Sequence, residues 1–522
     1  MASSNQRLEI IRRTYYDSVT LMLVAKELLK LEGISVATLN MGTEANYKIM
    51  GAGGFDLTGV DATPNDLVVA LMSDASEAEK VLEDALAKAK EYLANPPGRK
   101  KDSGDNDYRP KSLDGALSVL PAANLAIVSV AGRYAGDVAL QCIEKGLNVM
   151  LYSDNVMVEK EIEVKKAAAA KGLLVMGPDC GTIIIRGVAM GMANACPTGP
   201  VSIVAAAGTG LQEVHVQLAR RGVGVLHGIG VGGRDVKKEV GGIMCLRAVG
   251  ALLADDEVKV LAVVGKPPAP EVERKILDAV KAGGKPAVLG FIGGEAKGDS
   301  DGVFICRELE ETAAVVAALA NGQDAAAARD ALYAEYDALK QQAEKIGKRK
   351  GYLRGLYSGG TLCYEGQLVA REILGPIWSN TPLDKSMQLA DSLKSVEHTM
   401  VDYGEDEFTQ GRLHPMIDVS LRADRILEEA KDPDVGVVLL DVVLGYGCND
   451  DPATGLAEGI RKTRKVAGDR ISFVASICGV DTDPQNASRQ REILEELGVH
   501  VCGSNARAAR LAAMLLERGE LA

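Results

Sequence analysis

The chain has 522 residues, 47% apolar and 25% charged, with a net charge of −13. That length exceeds what one hydrophobic core organises, so several domains of ordinary globular composition are expected. The acidic balance excludes a general nucleic-acid-binding surface, which needs a basic footprint, but leaves room for a small anionic substrate in a local pocket.

Residues 8–13 read as a strand, and Asp17-Ser18 before the apolar-periodic run 19–31 predicts a capped helix. Residues 66–72 predict a second strand and 77–93 a charged helix, which makes 1–95 a small N-terminal α/β domain. Pro96, Pro97, Gly98 and Gly104 amid mixed charge mark 96–113 as a linker. From there strand–loop–helix alternation sets in. Residues 125–130 form a nearly continuous apolar run, as a buried parallel strand does. Ala131-Gly132-Arg133-Tyr134-Ala135-Gly136 opens a helix to 145. Further strands are expected at 148–152 and 172–176, the latter ending at Gly177-Pro178-Asp179-Cys180-Gly181-Thr182. Such alternation implies a doubly wound sheet with ligands at the C-terminal strand ends. Residues 114–198 thus read as a Rossmann domain. A unit at 199–322 has strands at 201–205, 261–264 and 287–290, and the alanine-rich stretch 324–345 predicts a helical connector within 323–350. A last unit at 351–522 has strands at 353–357, 435–441, 471–477 and 499–502.

The two late units read as copies. Ala206-Ala207-Gly208-Thr209-Gly210-Leu211-Gln212-Glu213 sets against Ser358-Gly359-Gly360-Thr361-Leu362-Cys363-Tyr364-Glu365; both follow an apolar strand and open a helix. Leu246-Arg247 parallels Leu421-Arg422, and the second copy is longer in its middle. Glycines after a strand turn backbone N–H groups inward, the first helical turn has unpaired N–H groups, and the macrodipole adds positive potential. Two such starts facing across a pseudo-twofold would hold one phosphate through Ala207, Gly208, Thr209, Gly210, Gly359, Gly360 and Thr361. The competing reading of Thr209-Gly210-Leu211-Gln212 is a capping box, with Thr as cap and Gln reciprocating.

The nine cysteines form no C-x-x-C pair and the five histidines no H-x-x-x-H pattern, so reduced thiols and no metal site are expected. No targeting segment and no membrane-length apolar run is read, which makes a cytoplasmic protein without nucleic-acid or membrane partners the expectation.

From residue 124 the motifs at 131–136, 177–182, 207–213 and 230–235 resemble the NDP-forming acyl-CoA synthetases, the superfamily of succinyl-CoA synthetase. The resemblance implies an α/β multidomain fold, with a CoA-binding-type Rossmann domain, two flavodoxin-like ligase-CoA domains and the small N-terminal α/β domain. It is closer to one branch, the FdrA proteins, through Tyr16-Asp17-Ser18, Met41-Gly42-Thr43, His414-Pro415-Met416-Ile417-Asp418 and Leu439-Leu440-Asp441-Val442-Val443-Leu444-Gly445. FdrA-type proteins are implicated in oxamate carbamoyltransferase, which converts oxalurate and phosphate to oxamate and carbamoyl phosphate. The implied ligands are these small anions, and the implied partners are further complex subunits and other copies of the chain. CoA is the one cofactor raised, with Gly132, Arg133, Gly136, Pro178 and Asp179 as its residues. The alternative function is an acyl-CoA ligase or a CoA-binding scaffold.

One departure bears on mechanism. The loop that carries a phosphorylated histidine in the acyl-CoA synthetases reads Gly290-Phe291-Ile292-Gly293-Gly294-Glu295-Ala296-Lys297-Gly298 here, without histidine. Carbamoyl transfer needs a held phosphate and a polarised carbonyl more than covalent help. Arg234, Arg412 and Lys266 are the candidate charge-neutralising groups; Lys266 also reads as part of a stiff Lys-Pro-Pro turn. His414 is the candidate proton donor, or else a loop histidine capping backbone. Glu213 and Glu365 read as orienting groups or as first-turn acids. Cys180 reads as a nucleophile or, with no base beside it, a small residue in a tight loop.

Overall fold

The computed structural model describes residues 5–14, 16, 18–95, 110, 112–409 and 412–516. The chain folds as two compact units: Met1–Arg109 with Glu405–His414, and Pro110–Gly404 with Pro415–Ala522. The cap Asp17 and almost all of the expected linker 96–113 lie outside the described residues.

In the first unit, strand Leu67–Ser73 runs antiparallel between Gln6–Ile11 and Ile34–Met41. It is apolar on both faces because both are covered. Leu67, Val69 and Leu71 meet helices Ser18–Leu28 and Ala78–Ala94, while Val68 and Ala70 meet Met50 and Phe55. Strand Ile34–Met41 and helix Glu44–Ala52 were not expected from the sequence; Thr43 caps that helix by accepting the Asn46 N–H. Helix Asp406–Thr409 packs against Glu44–Ala52. Arg412 and His414, expected within the body 351–522, therefore fold with the N-terminal module, while most of the extra length of the second copy lies before strand Thr399–Asp402, at 375–398.

Among the described residues, the second unit holds three sheets. Strands Leu125–Val128, Asn148–Leu151 and Val175–Met176 are parallel. The larger pair shows the repeat. In one, Val225–Gly230, Val201–Ala205, Val260–Gly265, Ala287–Phe291 and Val303–Ile305 lie side by side; in the other, Thr399–Asp402, Tyr352–Tyr357, Val435–Val443, Ser472–Cys478 and Val499–Cys502 do. Both are parallel in the flavodoxin-like order 2-1-3-4-5. The first sheet is extended by a hairpin, Thr182–Ile185 with Val188–Gly191, whose turn uses Arg186 and Gly187 at φ 48° and 77°. Hence part of 114–198 belongs to the neighbouring sheet.

Between the two large sheets lie helices Gly208–Arg220 and Leu309–Ala320 from one copy and Gly360–Leu374 and Asn505–Met514 from the other, in one continuous apolar core. The alanine-rich connector forms helix Ala325–Ile346 with Asp324 as N-cap, and buries Leu332, Tyr336 and Leu339 in the same core. No described helix is long and apolar enough to cross a membrane.

Burial in this core sets a pH dependence. His215, on the first of these helices, is 2% exposed, has no partner for either ring nitrogen among the described residues, and is lowered by burial to about 4. The unfolded chain protonates first, near the usual 6.5. The stabilising contribution is therefore complete above that pH and declines as pH falls toward 4, by about 3 kcal/mol. Glu365, pushed up to about 8 by burial and the charge of Glu308, acts with the opposite sign: its contribution is complete below the usual 4.5 and declines as pH rises. The test is thus a comparison: urea unfolding should show His215→Leu gaining stability over wild type as pH falls below 6.5, and parallel curves would refute the assignment.

Candidate functional site

The two glycine-rich helix starts meet. Helix Gly208–Arg220 is preceded by Ala207 as N-cap and helix Gly360–Leu374 by Gly359, both extended and neither providing a side-chain cap. A Cβ placed on Gly359 would lie 2.9 Å from Thr209 Cγ2, and one on Gly210 3.1 Å from Thr361 Cγ2. Each copy's threonine therefore sits on a residue of the other copy's helix start that lacks a side chain. The first-turn N–H groups at 208–210 and 360–362 have no acceptor within their own helices. Thr361, 1% exposed, has a hydroxyl without a hydrogen-bond partner among the described residues. The capping-box expectation fails: Thr209 lies inside the helix, and Gln212 Nε2 instead donates to Asn194 Oδ1 and Leu444 O, both at 3.2 Å.

Side chains from neighbouring strand ends close around these starts. Lys266 follows strand Val260–Gly265, and its Nζ is 3.3 Å from the Cβ position of Gly360; the Asp402 Oδ2, at the end of Thr399–Asp402, is 2.4 Å from that same point. Thr182 Oγ1 is 3.5 Å from the corresponding position of Gly208. Asp441, fully buried, accepts the Ser358 and Gly359 N–H groups at 2.8 Å each and is paired with buried Arg422 at 2.8 Å. That pair fixes the turn preceding the second helix, and the N–H groups of 360–362 form the first helical turn after it. Asp402, Asp441 and Arg422 were given no role by sequence reasoning. The available signal was position alone, an acid at the C-terminal end of a strand beside the switch in strand order.

Glu213 and Glu365 act in mirrored fashion. Glu213 Oε1 accepts the N–H of Asn505, the first residue of the second copy's last helix, at 3.4 Å; Glu365 Oε1 accepts the N–H of Leu309, the first residue of the first copy's last helix, at 2.7 Å. Both carboxyls are raised, chiefly by burial. These glutamates hold the copies together and lie a turn below the helix starts.

Arg234 Nε pairs with buried Glu161 at 2.9 Å and Nη2 donates to Val156 O at 2.7 Å. Glu161 also pairs with fully buried Lys165, which contacts Asp235, so Arg234 braces helix Val158–Ala170 instead of serving the helix starts. Arg412 and His414 belong to the first unit. Cys180 is buried, its thiol pushed up to about 12 by burial, and Gly230 leaves space for its sulfur; it is the neutral small residue, not a nucleophile. The histidine-free loop is pinned by Glu273, whose carboxylate accepts the Glu295 and Ala296 N–H groups at 2.9 and 3.1 Å.

Among the residues nominated for CoA, the two helix glycines sit at close packing contacts. A Cβ on Gly132 would fall 2.1 Å from Asp154 O, and one on Gly136 2.2 Å from Lys160 Cγ. These glycines allow the helix to pack on its neighbours, Arg133 stacks over Tyr134 at 5.0 Å, and Asp179 N donates to Ser153 O beside Pro178.

Comparison with known proteins matches residues 356–515 to the CoA-ligase family, 198–293 to the CoA binding domain, and 4–110 to the AllF, heavy metal-associated domain. The CoA binding match thus lies on the first flavodoxin-like sheet. The third match implies a metal, but the chain has no cysteine before Cys142 and no histidine before His215, and the described residues hold no group of three metal-type ligands. A thiophilic ion does not fit this module. Among solved structures, PH0766 from Pyrococcus horikoshii OT3 is 14% identical with a TM-score of 0.32, covering 75% of this chain and 83% of that one. The ATP citrate lyase from Methanothrix soehngenii in complex with citrate and coenzyme A is 16% identical with a TM-score of 0.33, covering 43% and 41%. The uncharacterized protein YahF of Escherichia coli (strain K12) is 37% identical over 523 residues, covering 98% of this chain and 99% of its own. The chain belongs to the same family as YahF, within the acyl-CoA-synthetase-like superfamily.

Proposed function

We propose that the chain is an acyl-transfer subunit of the acyl-CoA-synthetase-like type that holds phosphate, or the phosphoryl end of an acyl phosphate, between the helix starts at 208–210 and 360–361. The observation that carries this reading is the close approach of two uncapped helix starts, with the unpartnered Thr361 hydroxyl between them and Lys266 alongside. Oriented N–H groups and one ammonium stabilise phosphate as nucleophile or as leaving group without covalent participation. The histidine-free loop makes transfer through a phosphorylated residue there no part of the reading. Titration calorimetry with inorganic phosphate tests it. Wild type should bind, and Lys266→Ala should weaken binding by roughly tenfold to a hundredfold, the worth of one charge-assisted hydrogen bond. An unchanged affinity would reject Lys266.

The match of residues 4–110 to the AllF domain favours a second, narrower reading, carbamoyl transfer. A phosphate oxygen attacks the carbamoyl carbon of oxalurate, the bond from that carbon to the oxamate nitrogen breaks, and the nitrogen takes a proton. Phosphorus NMR of oxalurate, phosphate and the purified chain with its co-purifying partners should then show carbamoyl phosphate. Arg412 and His414 are assigned no part in either reading. Assembly with further subunits or copies is likewise proposed, and size-exclusion chromatography with light scattering checks it.

A further inference from the structure

The two helix starts are not equivalent, and the difference lies in Asp402. Strand pairing sets Ala205 opposite Gly230 in one copy and Tyr357 opposite Asp402 in the other, so the position that is glycine in the first copy is a carboxylate in the second. Asp402 is 2% exposed and held firmly. Its backbone exchanges two hydrogen bonds with the Asn380 side chain, each 2.9 Å, and its Oδ1 accepts the Gly404 N–H at 2.9 Å. Its Oδ2 is the atom at the Gly360 helix start, with Lys266 Nζ within 3.3 Å of the same point. The buried, unpartnered Thr361 hydroxyl marks this start independently as a ligand position.

An ionised carboxylate only accepts hydrogen bonds. Beside an oxyanion that has no proton it is repulsive; beside one that carries a proton it accepts a short charge-assisted bond. Phosphate carries at least one proton near neutral pH, whereas sulfate, of the same shape and size, carries none. Lys266 and Asp402 thus present a donor and an acceptor at one corner of the site, matching an oxyanion with one bare and one protonated oxygen.

We infer that Asp402, placed against Gly360 and Lys266, makes this site selective for a protonated oxyanion, accepting phosphate and rejecting sulfate. The inference rests on the reading that an anion occupies the helix starts, and the experiment separates the two. Titration calorimetry of the full chain with inorganic phosphate and with sulfate, at equal ionic strength and neutral pH, should show phosphate bound at least about tenfold more tightly. In Asp402→Asn, which keeps the Oδ1 acceptor for Gly404, sulfate should gain and the gap should largely close; Asp402→Ser is a second variant, with circular dichroism confirming the fold of each. Equal wild-type affinities, or a preference that survives in both variants, overturns the inference while leaving the phosphate site standing. Binding of neither anion overturns the site itself.

Discussion

Gly359→Ala is expected to weaken phosphate binding at least about tenfold, and phosphate-dependent turnover by about a hundredfold, with the chain still folded. The added methyl would sit 2.9 Å from Thr209 Cγ2 and 3.0 Å from both its Cβ and its Oγ1. Thr209 is a short β-branched residue, buried and fixed on its own helix, so no flexible chain end can swing aside. The backbones must separate, which moves the converging N–H groups apart while leaving each sheet intact. Overpacking of this kind costs about 1–3 kcal/mol. Adding Thr209→Gly, which removes all three obstructing atoms, should restore part of the affinity. Calorimetry and thermal unfolding on both variants check this, and a Gly359→Ala chain that binds phosphate as wild type does would refute the convergence argument.

Arg422→Met should produce the largest loss of stability, about 3–5 kcal/mol, because it leaves a buried carboxylate without its counter-charge. Arg422 and Asp441 are 2% and 0% exposed. The guanidinium donates to Asp441 Oδ1 at 2.8 Å, to Asp441 O at 2.6 Å and to Leu356 O at 2.9 Å, so removal also takes a buried donor from two backbone carbonyls. Since Asp441 accepts the N–H groups of Ser358 and Gly359, the loss reaches the second helix start. The double variant Arg422→Met with Asp441→Asn removes the lone charge and should recover part of the stability in a double-mutant cycle. A single variant within about 1 kcal/mol of wild type in urea unfolding would show that the pair is not essential.

Much of the fold was legible because its signals are local. Apolar runs such as 201–205 and 435–441 announced buried parallel strands, and the shared Gly-Thr-x-x-x-Glu announced the repeat whose two sheets now have the same strand order. What sequence reading missed depends on distance along the chain. Strand Thr399–Asp402 has four residues and no periodicity of its own, yet it carries Asp402 to a helix start. The hairpin at 182–191 carries a local signal, Arg186-Gly187 between apolar runs, that a strand–helix alternation masks. Arg234 illustrates the opposite error. A basic residue in a glycine-rich loop suits an anion, but a buried glutamate nearby claims it, and only tertiary structure brings Glu161 there. Likewise Gly132 and Gly136 share spacing with ligand turns, while their neighbours at 154–155 and 160 need the same absence of side chain for packing.

The central claim is that one anion lies where the two helix starts converge. A crystal structure grown in phosphate tests it most directly. The account predicts density for a tetrahedral anion contacting the N–H groups at 208–210 and 360–361 together with Lys266 Nζ. An anion bound at saturating phosphate only elsewhere, with those N–H groups turned to water, would contradict it.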